Sequence, residues 1–239
     1  DGDAPRFLRA SLVVFLVIAA TGLELWIHQR HRPRSGQPIP DAVRAIVAAS
    51  PCTSANLALL GDKQFLMADD GSGFVMYGQS GGSLIALGEP LAPAGKVDDL
   101  AWAFRDLADR KALRPVFYEV GAERLPLFLD MGLTALKLGE VARVDLTSFT
   151  LGGPKRQDMR TAMRKAEREG LEFAILPASE VPAAMDELRL VSDAWLEMKS
   201  GAEKSFSLGY FDEAYLSHFD HAVMRKDGRI VAFANLWRS

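Results

Sequence analysis

The chain has 239 residues, with 28 Lys plus Arg against 31 Asp plus Glu and a formal net charge of -3. That near balance says little about partners, because the bases are concentrated locally, at residues 28–34 and again at 155–168. Cys52 is the single cysteine, which excludes internal disulfides and cysteine-built zinc sites, agrees with a reducing compartment, and leaves a small buried hydrophobe as its expected role.

Residues 7–27, FLRASLVVFLVIAATGLELWI, form an apolar run with Arg6, Arg9, His28, Arg30, His31, Arg32 and Arg34 crowded at its two ends. At 1.5 Å rise per residue about 20 residues cross a hydrocarbon core, so this run predicts a transmembrane helix. Glu24 lies close to Trp26, where both side chains can sit at headgroup level. No small-residue cleavage site follows, which argues against a secretory signal. The basic cluster after the helix predicts that the rest of the chain is cytoplasmic. A linker at 31–40 then carries Pro33, Pro38 and Pro40, a composition that favours an extended spacer.

Asp41 can open a helix through Ala49, which Pro51 breaks. Lys63 to Ala68, Gly73 to Tyr77 and Leu84 to Leu87 read as three strands of an antiparallel meander, separated by Asp-Asp-Gly and Ser-Gly-Gly turns. Val97, Leu100, Ala101, Phe104, Leu107 and Ala108 recur at three- and four-residue steps, so 96–111 is an amphipathic helix laid on that sheet. Strand Pro115 to Val120, helix Ala122 to Met131 and strand Thr134 to Leu138 follow. A second round begins after Leu151-Gly152-Gly153-Pro154: helix 155–169 ending at Gly170, strand Leu171 to Leu176, and a longer helix through Val181, Met185, Leu188, Val191 and Trp195. Helix Phe211 to His218 then precedes a hairpin, Ala222 to Lys226 and Arg229 to Asn235, turned by Asp227-Gly228. This alternation predicts an α/β protein. The last residues read as the opening of a new sheet, so a fragment is expected.

The familiar catalytic signatures are missing: His-Glu-x-x-His, a Walker loop, a Gly-x-Ser-x-Gly elbow and a metal-spaced carboxylate and histidine set are all absent. No metal is expected. Gly78 to Ser83 is glycine-rich, yet it lies between two strands and reads as a hairpin turn and not a phosphate cradle. In KRQDMRTAMRKAERE, Arg156, Arg160, Arg164 and Arg168 recur every four residues, and 155–169 holds six bases against three acids. Guanidinium groups at this pitch suit successive phosphates, of tRNA or of anionic lipid. The competing reading is a solvated face with ordinary pairs such as Lys165 with Glu169.

The ordered segments GDKQFL (61–66), FVMYGQSGGSLIALGEP (74–90), WAFRDLA (102–108), PVFYEV (115–120), GLTALKLGEVARVDLTSFTLGG (132–153), MRKAEREGLEF (163–173), SDAWLEMKSGAEKSFSLGYF (192–211) and DGRIVAFANLW (227–237) resemble the bacterial phosphatidylglycerol lysyltransferases, the multiple peptide resistance factors. The resemblance covers essentially the whole chain. It implies a membrane helix at 1–30 after a multi-pass flippase bundle, the linker, a first acetyltransferase-like (GNAT-type) domain at 41–153, and an incomplete second one at 154–239. The implied activity is transfer of lysine, or alanine in relatives, from aminoacyl-tRNA to phosphatidylglycerol at the plasma membrane. It implies no cofactor beyond the aminoacyl-tRNA co-substrate, and self-association is left open.

The reaction starts from an activated ester, so a general base and an oxyanion stabiliser suffice, together with a carboxylate for a cationic aminoacyl group. Of the acids within the family-like segments, Glu140 in LKLGEVA and Glu203 in GAEKSFSLG are expected as the functional carboxylates. Lys63 is expected to hold a phosphate or to help structure the first domain, and Arg156, Arg160 and Arg164 to meet substrate. Each has a plainer role available: Glu140 can pair with Lys137 or Arg143, Glu203 can cap a helix, and Lys63 can be an edge lysine. Val141 stands where the family pattern has a second acid, which leaves the amino-acid specificity open. His218 and His221 are open either to the base's role or to a structural one. Two other classes fit the α/β order: an acetyl-coenzyme A dependent N-acetyltransferase, which lacks here its Arg/Gln-x-x-Gly-x-Gly/Ala segment, and a non-catalytic membrane-tethered binding module.

Overall fold

A computed structural model describes residues 38–199 and 205–238. The expected transmembrane helix, most of the linker and Glu203 lie outside these residues. Among the described residues no helix is long and apolar enough to cross a membrane. The described residues pack as two units, one of 38–43 together with 61–119, the other of 44–60 together with 120–199 and 205–238. Helix α1, Asp41–Ala49, carries the boundary between them, with Asp41 in its first turn and Val43 and Val47 buried one turn apart.

In the first unit, β1 (Gln64–Met67), β2 (Phe74–Ser80) and β3 (Ser83–Leu87) form the expected antiparallel meander, with Gln64 opposite Tyr77 and Ser80 opposite Ser83. Gly81 and Gly82 turn the second hairpin, Gly81 with a φ of 53° that suits glycine. Gly73 is required for a different reason. A Cβ there would lie 2.5 Å from Ala92 Cβ, because Phe74 and Leu91 exchange both main-chain hydrogen bonds at 2.9 Å. Helix α2 (Val97–Arg110) then returns the chain so that β4 (Arg114–Tyr118) lies parallel to β3, as a crossover connection allows. Its apolar stripe covers the sheet: Leu100, Phe104 and Ala108 pack with Val75, Tyr77, Leu84 and Ala86. The Phe104 ring meets Tyr77 at 5.5 Å and Phe117 at 5.2 Å.

In the second unit a 3-10 helix at Thr53–Leu60 is followed, after the first unit's segment, by α3 (Leu125–Asp130). The basic helix α4 (Gln157–Arg168) stops at Gly170, whose φ is 72°. Strands β5 (Leu171–Leu176), β6 (Asp220–Lys226) and β7 (Arg229–Leu236) form an antiparallel sheet in that order. Asp227 and Gly228 turn the last hairpin with φ of 51° and 77°, as a two-residue turn of this hand requires. Helix α5 (Met185–Met198) buries Met185 and Leu188, and the short α6 (Glu213–Leu216) buries Tyr215 and Leu216. A bulge between Met224 and Arg225 breaks the β6–β7 register. There the Glu187 carboxylate of α5 accepts the Ile230 N–H at 2.8 Å, with Arg225 at 4.0 Å.

Several expectations change, among them two helix starts: the helices expected from Ala122 and from residue 155 open as 3-10 turns, Ala122–Arg124 and Pro154–Arg156, before α3 and α4 begin. Residues 134–138 form no strand, since among the described residues no strand pairs with them, and Leu136 and Leu138 stand exposed. The 211–218 helix shrinks to α6, because Asp212 caps it, accepting the Tyr215 N–H at 2.7 Å, while Phe211 is turned instead against Phe233. The helix expected from Val181 opens as a 3-10 turn at Val181–Ala184, which contains Pro182, before α5 begins. Cys52 is exposed, its sulfur 3.1 Å from the Ser54 hydroxyl, so the expected buried role does not hold.

Candidate functional site

Lys63 enters β1 from Gly61-Asp62, and these three residues are buried. Its ammonium donates to the Asp62 carboxylate at 2.6 Å, with the two side chains 0% and 1% exposed. Burial pushes the Lys63 pKa down and the neighbouring carboxylate pulls it back up. Taking both charges from water is costly unless they stay paired, so each holds the other in place. Asp62 was not singled out by the sequence, although its adjacency to Lys63 in the GDK segment was the available signal.

The arginine row of α4 is divided in use. Arg160 Nη1 donates to the carbonyl oxygens of Leu151, at 2.5 Å, and Gly153, at 2.8 Å, tying the helix to the loop before it. The Arg156 guanidinium lies 4.4 Å over the Phe149 ring, a cation–π contact. Arg164 and Arg168 are exposed. Lys165 and Glu169 make the ordinary one-turn pair at 3.8 Å. No residue of α4 is buried, so packing does little to hold the helix.

Glu140 sits in the irregular segment after residue 133, exposed and 2.6 Å from the Lys137 ammonium. Lys63 belongs to the first unit and Glu140, Arg156, Arg160 and Arg164 to the second. Within the second unit, Arg160 and Arg164 share α4, Arg156 ends the 3-10 turn Pro154–Arg156 just before it, and Glu140 lies upstream.

His221 on β6 is fully buried. Its Nδ1 is 3.0 Å from the Phe219 carbonyl, which can only accept, so Nδ1 carries the proton. Nε2 has no hydrogen-bond partner among the described residues, and the ring packs against Phe233 at 5.8 Å. Burial lowers its pKa, while the Phe219 carbonyl and the nearby Asp220 pull it up. His218 instead lies just past the end of α6, its ring 6.2 Å from Phe219.

A family model described as "Phosphatidylglycerol lysyltransferase, C-terminal" matches residues 44–239. The chain is 34% identical to the phosphatidylglycerol lysyltransferase of Bacillus subtilis over 211 residues, 87% of this chain and 24% of that protein. It is 32% identical to the enzyme of the same name from Staphylococcus aureus over 228 residues, 94% of this chain and 27% of that one. The chain thus spans about a quarter of the length of these curated relatives. Among solved structures, the C-terminal domain of a putative lysylphosphatidylglycerol synthetase from Agrobacterium fabrum superposes with a TM-score of 0.78 at 41% identity, covering 82% of this chain and 62% of that one. L-PGS from Bacillus licheniformis gives 0.74 at 34% identity, covering 86% and 64%.

Proposed function

Because this chain belongs to the phosphatidylglycerol lysyltransferase C-terminal family, we propose that it forms part of an enzyme transferring an aminoacyl group, lysine first, from aminoacyl-tRNA to the glycerol hydroxyl of phosphatidylglycerol. The observation that carries the reading is the family match over residues 44–239, joined to a mixed α/β fold shared with the two synthetase structures at 41% and 34% identity. In the transfer the glycerol oxygen bonds to the ester carbonyl carbon, the bond from that carbon to the tRNA ribose oxygen breaks, and the glycerol proton ends on the departing oxygen. The donor is an activated ester, so the protein need only align the two substrates, hold the proton and stabilise the transient oxyanion. The product lowers the negative charge of the membrane, which weakens the attraction of cationic antimicrobial peptides.

The acetyltransferase-like reading of 41–153 and 154–239 is supported in the first half by a meander followed by a strand returned parallel through a helix, and in the second by the antiparallel β5–β6–β7 sheet. The apolar residues 7–27 are read as an anchor in the plasma membrane of a multi-pass protein, with the globular part cytoplasmic. Glu140 and Glu203 are the proposed functional carboxylates, Lys63 a binding or organising group, and Arg156, Arg160 and Arg164 the row that meets substrate phosphate. The β3–α2 connection, GEPLAPAGK, lacks the glycine pattern that would bind the pyrophosphate of coenzyme A, which weighs against acetyl transfer.

The test supplies radiolabelled lysyl-tRNA or alanyl-tRNA, with phosphatidylglycerol vesicles, to the full enzyme of which this chain is part. Label entering the lipid supports the reading and names the amino acid, and none from either donor overturns it. Glu140→Gln is expected to lower the transfer rate by about 100-fold or more, with folding unchanged because the side chain is exposed.

A further inference from the structure

Residues 134–153 form no helix or strand, yet they carry Glu140, the carboxylate proposed to act in the transfer. Among the described residues Glu140 bonds to Lys137, three positions away in the same segment, and that pair does not fix Glu140 to the rest of the unit. The fastening comes further on, at every second residue. The Phe149 ring lies 4.4 Å from the Arg156 guanidinium, and the Leu151 and Gly153 carbonyls accept from Arg160 Nη1 at 2.5 and 2.8 Å. Nη1 carries two protons, and both are spent on these carbonyls. A phosphate met end-on through the Nη1–Nη2 fork would displace them and leave two loop acceptors without their charged donor.

Gly153 is the backbone half of the same clasp. Its φ of 83° and ψ of 165° lie in a region that essentially only glycine enters, and from there its carbonyl meets Arg160. A Cβ at 153 would meet nothing within 4 Å, so the position demands a backbone conformation and not space. Arg156 and Arg160 are partly buried by these contacts, whereas Arg164, one turn further along, is exposed. Helix α4 is seated by its continuation: through Gly170 it runs into β5, each of whose six residues is paired with β6.

We propose that Arg160, with Arg156 beside it, is a positioning residue of the transfer, which clasps residues 149–153 to the start of α4 and so sets the place of Glu140. This narrows the arginine row assigned above to substrate phosphate, and it rests on the role given there to Glu140. A group on a loop reacts with precision only where the scaffold holds that loop, and a displacement of about 1 Å costs on the order of 100-fold in rate.

The test uses the full enzyme of which this chain is part, assayed for transfer from charged tRNA to phosphatidylglycerol vesicles over a range of salt. Arg160→Gln is expected to lower kcat by about 10- to 100-fold, with the KM for each substrate and its salt dependence unchanged. A lost phosphate contact does the reverse, raising KM and reducing the logarithmic salt slope of binding by about 1. Gly153→Ala should reproduce the kcat loss through the backbone and add little to Arg160→Gln in the double variant, while Gly152→Ala stays near the unmodified rate. In a Glu140→Gln background, Arg160→Gln should cost no more than about twofold, because it acts through that carboxylate. Circular dichroism and the thermal midpoint check that each variant is folded, and Gly153→Ala carries the test if Arg160→Gln is not. A reduced salt slope for Arg160→Gln returns that residue to the phosphate row and overturns the clasp. So does an unchanged kcat, or a full further loss in the Glu140→Gln background. The parent reading fails separately: an unmodified enzyme that transfers from neither donor overturns the activity, and an active one indifferent to Glu140→Gln overturns the role of Glu140.

Discussion

The sheet of the first unit and the α4–β5 segment of the second are built from similar sequence patterns and end in opposite situations. Helix α2 lays Leu100, Phe104 and Ala108 on β2 and β3, and that face is closed to water. Helix α4 has an equally regular stripe, yet none of its residues is buried, and β5 beside it exposes Phe173 and Ile175. Amphipathic periodicity thus says that a face exists to be covered. It does not say what covers it, since protein and lipid both satisfy an apolar stripe.

The largest test of this contrast pairs two phenylalanines. Phe104→Ala, at a site closed to solvent, is expected to cost about 3–5 kcal/mol, read from the denaturation midpoint. Phe173→Ala on β5 should change stability by no more than about 0.5 kcal/mol, and a comparable loss there would show that β5 is covered in solution. Lys63→Met should cost a similar 3–5 kcal/mol, roughly the effect of leaving one buried charge unpaired, and Asp62→Leu combined with Lys63→Met should recover much of it if pairing is what holds the two in place. No recovery would mean that other neighbours of the pair carry the loss.

Smaller effects probe the second unit where it does pack. Asp212→Ala removes the cap of α6 and should cost about 1 kcal/mol, with Asp212→Asn nearly neutral. His221 gives a pH signature whose sign is fixed by its lowered pKa. Below the ordinary value of 6.5 the unfolded chain takes up a proton that the folded one resists, so this histidine weakens folding as pH falls through that value, until the folded form is protonated too. His221→Phe should flatten that part of the stability profile. An unchanged profile would mean that His221 is protonated as readily in the folded state as in the unfolded one.

Much of the local structure was legible because it is set by short-range physics. The meander, the α2 stripe, the end of α4 at Gly170 and the Asp227-Gly228 hairpin each follow from periodicity or from residues that accept positive φ. Residues 134–138 misled because alternation marks a strand only when a neighbour supplies the ladder. Among the candidate site residues the sequence supplied types and spacing, and Arg160 and Arg164 do stand one turn apart on α4, whereas Arg156 falls in the 3-10 turn before it. It could not see that Arg160 would be bound to two carbonyls and Arg156 stacked on a ring, since Leu151, Gly153 and Phe149 reach them only through the fold of the loop.

By itself the sequence determined the family, the alternation of strands and helices, the turns, and a basic amphipathic helix, all properties carried by neighbouring residues or by segment order. Tertiary structure alone decided that β4 runs parallel to β3, that Asp62 and Lys63 share a buried ion pair, that Glu187 fills the bulge at Ile230, and that His221 is sealed beneath Phe233. Burial, pairing and proton affinity depend on which atoms meet across the fold, and in a single chain read residue by residue those meetings are not written down.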